Sequence, residues 1–393
     1  MSIWGPLHDR YENPKPQRKI LALEGGGIRG LITLQFLEKM ENDLRKALGK
    51  NETFRLSDFF DYIGGTSTGA IIAAGLSLGM SSRELIDFYL NKDKDMFDKN
   101  FILKKWKAFY NSGPLEEMLK TTFGEGTNLK LADGKFKSLL LVVTMNRTTD
   151  SPWPINNNPK AKYNLEDRPD CNLQIPLYQL VRASTAAPTY FPPETIEWDK
   201  NDPSKTFVFV DGGVTPYNNP AFLMYRMATH PAYKLNWDIG DDKLLIVSVG
   251  TGSAPSVGSY SNLMDTARNI PNNLMYAMQN DQDINCRTIG RCTYGAPIDR
   301  ELGNMIPINE EGKIDAPAKP TMRHFLYVRY NADLSEDGLQ KLNLGHINSD
   351  HVREMDSVKY LKELETVGKA AAAQQVNLEH FENFVQKGAE DKK

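Results

Sequence analysis

Three short glycine-bearing stretches hold the residues of this chain best suited to chemistry: Glu24-Gly-Gly-Gly-Ile-Arg-Gly30, Gly64-Gly-Thr-Ser-Thr-Gly-Ala70 and Asp211-Gly-Gly213. Inside the second, Gly65-Thr66-Ser67-Thr68-Gly69 has the pattern Gly-x-Ser-x-Gly. A serine on a tight strand-to-helix turn has its hydroxyl thrust out of the backbone, and glycine flanks let the chain bend that sharply. The apolar run FFDYI before it and the helix-forming run IIAAGLSLGM after it supply the context such a turn needs. The bland alternative is a glycine-rich turn with an idle serine. Ser67 therefore needs partners from elsewhere in the chain.

The first stretch offers backbone donors, or a rival. Gly25, Gly27 and Gly30 fit G-x-G-x-x-G, after an apolar strand and opening a helix, as a dinucleotide fingerprint does. That reading also wants an acid at the end of a second strand, about 20 residues on. Here that distance falls inside a charged helix around Glu41–Arg45, and the next strand ends in glycines and Ser67. The same backbone amides, at a glycine loop and helix N-terminus, also suit an oxyanion forming on an attacked carbonyl. The third stretch follows TFVFV. Asp-Gly after a strand is most often only a turn, but Asp211 and Ser67 both fall at carboxyl ends of strands expected to be parallel, where open α/β sheets place their sites.

The elements that must position these groups are short, unbroken apolar runs: ILAL (20–23), LLLVV (139–143), FVFV (207–210), LLIVSV (244–249) and FLYV (325–328). Runs without alternation suit strands buried on both faces, hence a mainly parallel sheet in a three-layer α/β/α fold. Residues 31–49 have helical period, with Leu31, Leu34, Phe36 or Leu37, Met40 and Leu44 on one side. SSRELIDFYL (81–90) opens with a capping box. Residues 150–176, rich in proline and asparagine, suggest a long surface loop or lid. The end of the chain suggests amphipathic helical pieces, with Leu378, Phe381 and Phe384 docked on the body or on a partner.

Composition narrows the classes further. The 393 residues are 40% apolar and 25% charged, the balance of an ordinary globular chain. A net charge of −3 gives no argument for a nucleic-acid polymer. Cys171, Cys286 and Cys292 have neither disulfide nor zinc spacing, and no metal or cofactor is implied; a cytoplasmic location follows as an expectation, since no signal segment is visible. Met96–Tyr110, with Trp106 among Lys104, Lys105 and Lys107, has the composition of a peripheral membrane contact, and also that of a core helix with a wet edge.

Glycine loop, Gly-x-Ser-x-Gly and Asp-Gly-Gly occur here in the order in which they resemble the patatin-like phospholipase family. Arg182-Ala-Ser-Thr-Ala-Ala-Pro-Thr-Tyr-Phe-Pro192 and Asp211-Gly-Gly-Val-Thr-Pro-Tyr-Asn-Asn-Pro220 are similar to the family's characteristic stretches, and the likeness covers about residues 18–330. It implies a patatin-like fold and a lipid acyl hydrolase of phospholipase A type, working through a Ser–Asp dyad and an acyl-enzyme, with no catalytic histidine. Ser67 would be the nucleophile and Asp211 the base. Gly26 and Gly27 would supply the oxyanion amides within the loop Gly25, Gly26, Gly27, Ile28, Arg29 and Gly30, and Gly212 and Gly213 would complete the Asp-Gly-Gly motif. Glu24 departs from the Asp that many relatives carry before the glycines. Some bacterial relatives are antiphage effectors switched on by cyclic nucleotides, so the likeness admits a small nucleotide activator and a homo-oligomer, with membrane phospholipids or other lipid esters as substrate. The division expected is an N-terminal extension (1–17), the acyl hydrolase domain (18–335) and a C-terminal helical appendage (336–393). Two other readings stay open. One is a silent or regulated lipid-binding module, the other a dinucleotide binder. A triad completed by His230, His324, His346 or His351, all after Asp211, is the alternative to the dyad.

Overall fold

The computed structural model describes residues 2–90, 112–188, 190–199, 202–254, 263–306, 308, 322–355 and 358–385. The segment Met96–Tyr110 lies outside them, and with it the proposed membrane contact. Nine strands among the described residues form one sheet: β1 (Arg18–Leu23), β2 (Tyr62–Thr66), β3 (Leu139–Asn146), β4 (Ser151–Asn156), β5 (Glu194–Glu197), β6 (Thr206–Asp211), β7 (Leu244–Val249), β8 (Arg291–Tyr294) and β9 (Leu326–Tyr330). The order β3–β2–β1–β7–β9–β8 is parallel throughout. Every residue of β2, β7 and β9 is buried, as the unbroken apolar runs require.

Two adjacent glycines show how the layers close. Side chains of successive strand residues face opposite sides of a sheet. A methyl on Gly64 would lie 2.7 Å from Met224 Sδ, on helix α6 (Ala221–Thr229). A methyl on Gly65 would lie 2.1 Å from the Gly69 carbonyl, on helix α2 (Thr68–Ser77). Helices thus press on both faces of β2, which gives the α/β/α layering. Around this centre lie α1 (Gly30–Ala47), α3 (Ser82–Leu90), α4 (Ser112–Phe123), α5 (Leu177–Ser184), α7 (Leu263–Ile289) and α8 (Leu361–Gln375).

Helix α1 buries Leu31, Leu34, Met40 and Leu44 as expected, but both Phe36 and Leu37 as well. The second side is covered because α8 packs along α1, with Gly368 against Ile32 and Gln35. Helix α3 is capped by Ser81, whose amide and hydroxyl both donate 2.7 Å bonds to the Glu84 carboxylate. The C-terminal pieces dock on the body: Phe381 and Phe384 are buried, and Glu382 receives two bonds from Arg291, at 2.8 and 2.5 Å. Residues before β1 are tied in too. Trp4 and Tyr11 are buried, and Arg10 bonds Asp61 and the carbonyls of Ser57, Phe60 and Lys137.

Two expectations are corrected. Residues 150–176 are not one surface loop, because Ser151–Asn156 is strand β4, antiparallel to β3. Pro152 and Pro154 fit there because β4 is an edge, and residues two apart turn their missing N–H groups the same way, off the sheet. The asparagines that follow are buried scaffold: Asn157 Oδ1 accepts from the Leu140 amide at 2.7 Å, and Asn164 Nδ2 donates to the Asn156 and Asn158 carbonyls. Trp153 packs among Trp198, Phe207 and Phe209. The second correction is direction. Strand β6 runs antiparallel to β3, so the sheet is mixed and Asp211 does not end a parallel strand.

Candidate active site

Reversal of β6 is what brings Asp211 to Ser67. Strand β3 offers residues 139–143 to β2, residues 144–146 to β6, and residues 141–146 to β4. A strand has two hydrogen-bonding edges. Since β4 runs alongside both other contacts, it takes one edge, and β2 and β6 share the other. They approach along it from opposite ends: Thr66 is level with Val143, Asp211 with Thr144. The last residues of the two strands therefore meet head to head.

At that junction Ser67 has φ 56 and ψ −123, a conformation that costs a residue with a side chain about 1–3 kcal/mol. The strain is held by its neighbours. The Ser67 amide donates to Ser184 Oγ at 2.9 Å, and Ser184 Oγ donates to the Val143 carbonyl at 2.7 Å. The Ser67 carbonyl accepts from the amides of Ala70 and Ile71 and so starts α2. Thr66 Oγ1 donates to the Tyr217 carbonyl, tying the turn to the loop that follows Asp211.

The Ser67 hydroxyl donates to Asp211 Oδ2 at 2.6 Å, and Asp211 Oδ1 accepts from the Gly213 amide at 2.6 Å. Asp211 is 5% exposed. Burial pushes its carboxyl up to about 6, against the opposing pull of the Ser67 and Gly213 bonds. Among the described residues no histidine bonds to Asp211. His324 pairs with the Tyr225 hydroxyl, His351 with Glu363, and His230 accepts from the Ala232 amide.

The glycine loop between β1 and α1 lies against this pair, since a methyl on Gly25 would come 3.0 Å from Ser67 Cβ. Its amides divide into spent and unspent. Gly25 donates to the Asn218 carbonyl (3.4 Å), Ile28 to the Met355 carbonyl (2.9 Å), Arg29 to the Gly26 carbonyl (3.3 Å), and Gly30 back to Gly27. Among the described residues, the amides of Gly26 and Gly27 have no acceptor. Gly27 has φ +60, and a methyl on it would meet the Met355 carbonyl at 2.2 Å, so only glycine fits beneath the C-terminal segment. The Arg29 side chain is half-buried and its guanidinium donates to the Arg353 carbonyl; loss of hydration pulls it down to about 10.

Glu24, just before the glycines, is buried and accepts a 2.5 Å bond from Arg329, whose other nitrogen donates to Ser248 Oγ at 3.0 Å. Burial pushes the Glu24 carboxyl up, and the Arg329 charge opposes this. Sequence reasoning missed Arg329, Ser184, Asn218 and Thr251 as parts of this site. Ser184 and Asn218 stood inside stretches quoted for their family likeness, but only contacts made across the fold give them a task. The dinucleotide reading loses its remaining support, because β2, the neighbour of β1, ends in Thr66 and leads into Ser67 rather than an acid.

The model of the patatin-like phospholipase family matches residues 21–225, more than half of the chain. A cGAMP-activated phospholipase of Vibrio cholerae serotype O1 is 31% identical over 230 residues, covering 56% of this chain and 59% of the relative. Patatin-01 of Solanum tuberosum is 29% identical over 272 residues, covering 63% and 64%. The chain thus spans about three fifths of the length of these relatives. Human GIVD cytosolic phospholipase A2 is a distant structural neighbour, with a TM-score of 0.41 at 11% identity, covering 93% of this chain and 60% of that one. By the family match, this chain is a member of the patatin-like phospholipase family.

Proposed function

We propose that the chain is a serine lipid acyl hydrolase of phospholipase A type, acting on phospholipid acyl esters through the pair Ser67 and Asp211. The observation that carries this is the 2.6 Å bond from the Ser67 hydroxyl, on its strained turn, to a buried carboxyl raised toward neutrality. Ser67 Oγ attacks the ester carbonyl while its proton passes to Asp211. The oxyanion is held by the amides of Gly26 and Gly27, the two in the loop left without acceptors. Collapse of the tetrahedral intermediate breaks the ester C–O bond, and the departing alkoxide takes the proton from Asp211. Water then attacks the acyl-enzyme with Asp211 again as base, releasing the fatty acid and the Ser67 hydroxyl. Removing one oxyanion donor costs about 3 kcal/mol of transition-state stabilisation in such chemistry.

The V. cholerae relative, named as cGAMP-activated, supports extending the reading to a small nucleotide activator, and an antiphage role is part of the same proposal. Location in the cytoplasm, contact with the membrane surface when active, and assembly into homo-oligomers belong to the same proposal. No helix among the described residues is long and apolar enough to cross a membrane.

The test is release of fatty acid from vesicles of defined phospholipid, with and without cGAMP, by wild type and Ser67→Ala. Wild type should release acid and be labelled by a fluorophosphonate, and Ser67→Ala should do neither. A silent lipid-binding module would bind the vesicles equally in both forms and be labelled in neither.

A further inference from the structure

We propose that Asn218 and Thr251 are positioning residues that aim the Gly26 amide by gripping the carbonyl of Gly25. The proposal rests on the reading of Ser67 as nucleophile and of Gly26 as an oxyanion donor, and assigns the residues that make that donor available.

The Gly25 carbonyl accepts two side-chain bonds, from Asn218 Nδ2 at 3.3 Å and from Thr251 Oγ1 at 3.2 Å. Asn218 holds the same glycine from the other end as well, since its own carbonyl accepts from the Gly25 amide. All peptide bonds described here are trans, and in a trans peptide the C=O and N–H point to opposite sides. Fixing the Gly25 oxygen toward Asn218 and Thr251 therefore turns the Gly26 N–H away from them. That N–H has no acceptor among the described residues, although the loop's other amides, Gly27 excepted, are engaged.

Both grips are rigid. Asn218 and Thr251 are fully buried. The residues flanking Thr251 are each pinned: the Gly250 carbonyl accepts from Thr33 Oγ1 at 2.8 Å, and the Gly252 amide donates to Asn331 Oδ1 at 2.8 Å. Thr251 also fills the space over Gly26. A methyl there would lie 2.1 Å from Thr251 Oγ1, which accounts for glycine at a position whose φ of 167 any residue could adopt. Asn219, next door, has a different task, since its Oδ1 accepts from Ser248 Oγ and from the Ala221 amide.

Thr251→Val and Thr251→Ser form the discriminating pair. Valine keeps the shape of threonine and loses the donor; serine keeps the donor. On a short soluble ester such as p-nitrophenyl butyrate, Thr251→Val should lower kcat about tenfold with KM unchanged, a fraction of the full loss of an oxyanion donor. Thr251→Ser should restore kcat to within about twofold of wild type, as expected of an aimed donor. Melting temperatures of all three should agree. Unchanged kcat in Thr251→Val, or equal loss in both variants with a lowered melting temperature, overturns the positioning role alone. A wild type that turns over neither the ester nor vesicles, with or without cGAMP, overturns the hydrolase reading and this assignment with it.

Discussion

The base role proposed for Asp211 predicts a pH dependence that follows from its surroundings. It is 5% exposed, and burial pushes its carboxyl from the ordinary 3.8 up to about 6. Only the carboxylate can take the Ser67 proton, so kcat/KM should rise with pH to about 6 and level off above it. At pH 5, about a tenth of the plateau should remain. Stability moves the other way. The folded chain holds this proton more tightly than the unfolded chain does. The resulting stability is fully present below the unfolded value of about 4 and is lost as pH rises through about 6. The whole displacement is worth about 3 kcal/mol, of which about 1.4 kcal/mol falls between pH 5 and pH 8. Asp211→Asn has no such proton to lose. That variant should be inactive, yet gain about 1.4 kcal/mol on the wild type between those two pH values, read from urea midpoints. An acid limb below about pH 4.5, or stability curves that stay parallel, would refute Asp211 as a buried base raised toward neutrality.

Two further substitutions probe the scaffold of the site. Arg329→Met strands the buried Glu24 carboxylate and should cost about 3–5 kcal/mol of stability, more at high pH than at low pH because burial raises this carboxyl and protonated Glu24 needs no partner; a loss independent of pH would contradict this. Ser184→Ala leaves the Ser67 amide and the Val143 carbonyl without their shared hydroxyl, which should cost about 1–3 kcal/mol and lower kcat more than it changes KM on a short ester; an unchanged kcat would show that Ser67 keeps its strained turn without Ser184.

What could be read in advance divides along physical lines. Strands β1, β3, β7 and β9 were visible because burial on both faces leaves an unbroken apolar run, and β6 because FVFV is such a run although Phe207 and Val208 are only half-buried. Strands β4, β5 and β8 were not: β4 carries two prolines at an edge, and β5 and β8 are four residues long, with polar positions. The groups proposed to react were visible because each makes a local demand on the backbone. Ser67 needs a turn that its glycine flanks permit, and Gly27 needs a positive φ. Direction was hidden, since FVFV is the same apolar run whether parallel or antiparallel. The meeting of Ser67 with Asp211 depends on β3 pairing for three residues past the end of β2, and no run of residues states that excess. The supporting hydroxyls were hidden for a related reason. Ser184 serves a residue 117 positions away and Thr251 one 226 positions away, and each looks locally like an ordinary turn or helix-end residue. On the proposed reading, the chemistry of this site is encoded beside the atoms that would perform it, while its aim is encoded across the sheet. Substitutions at Ser67 or Asp211 should therefore remove activity outright, and those at Thr251 or Ser184 should leave an enzyme that binds as before and turns over more slowly.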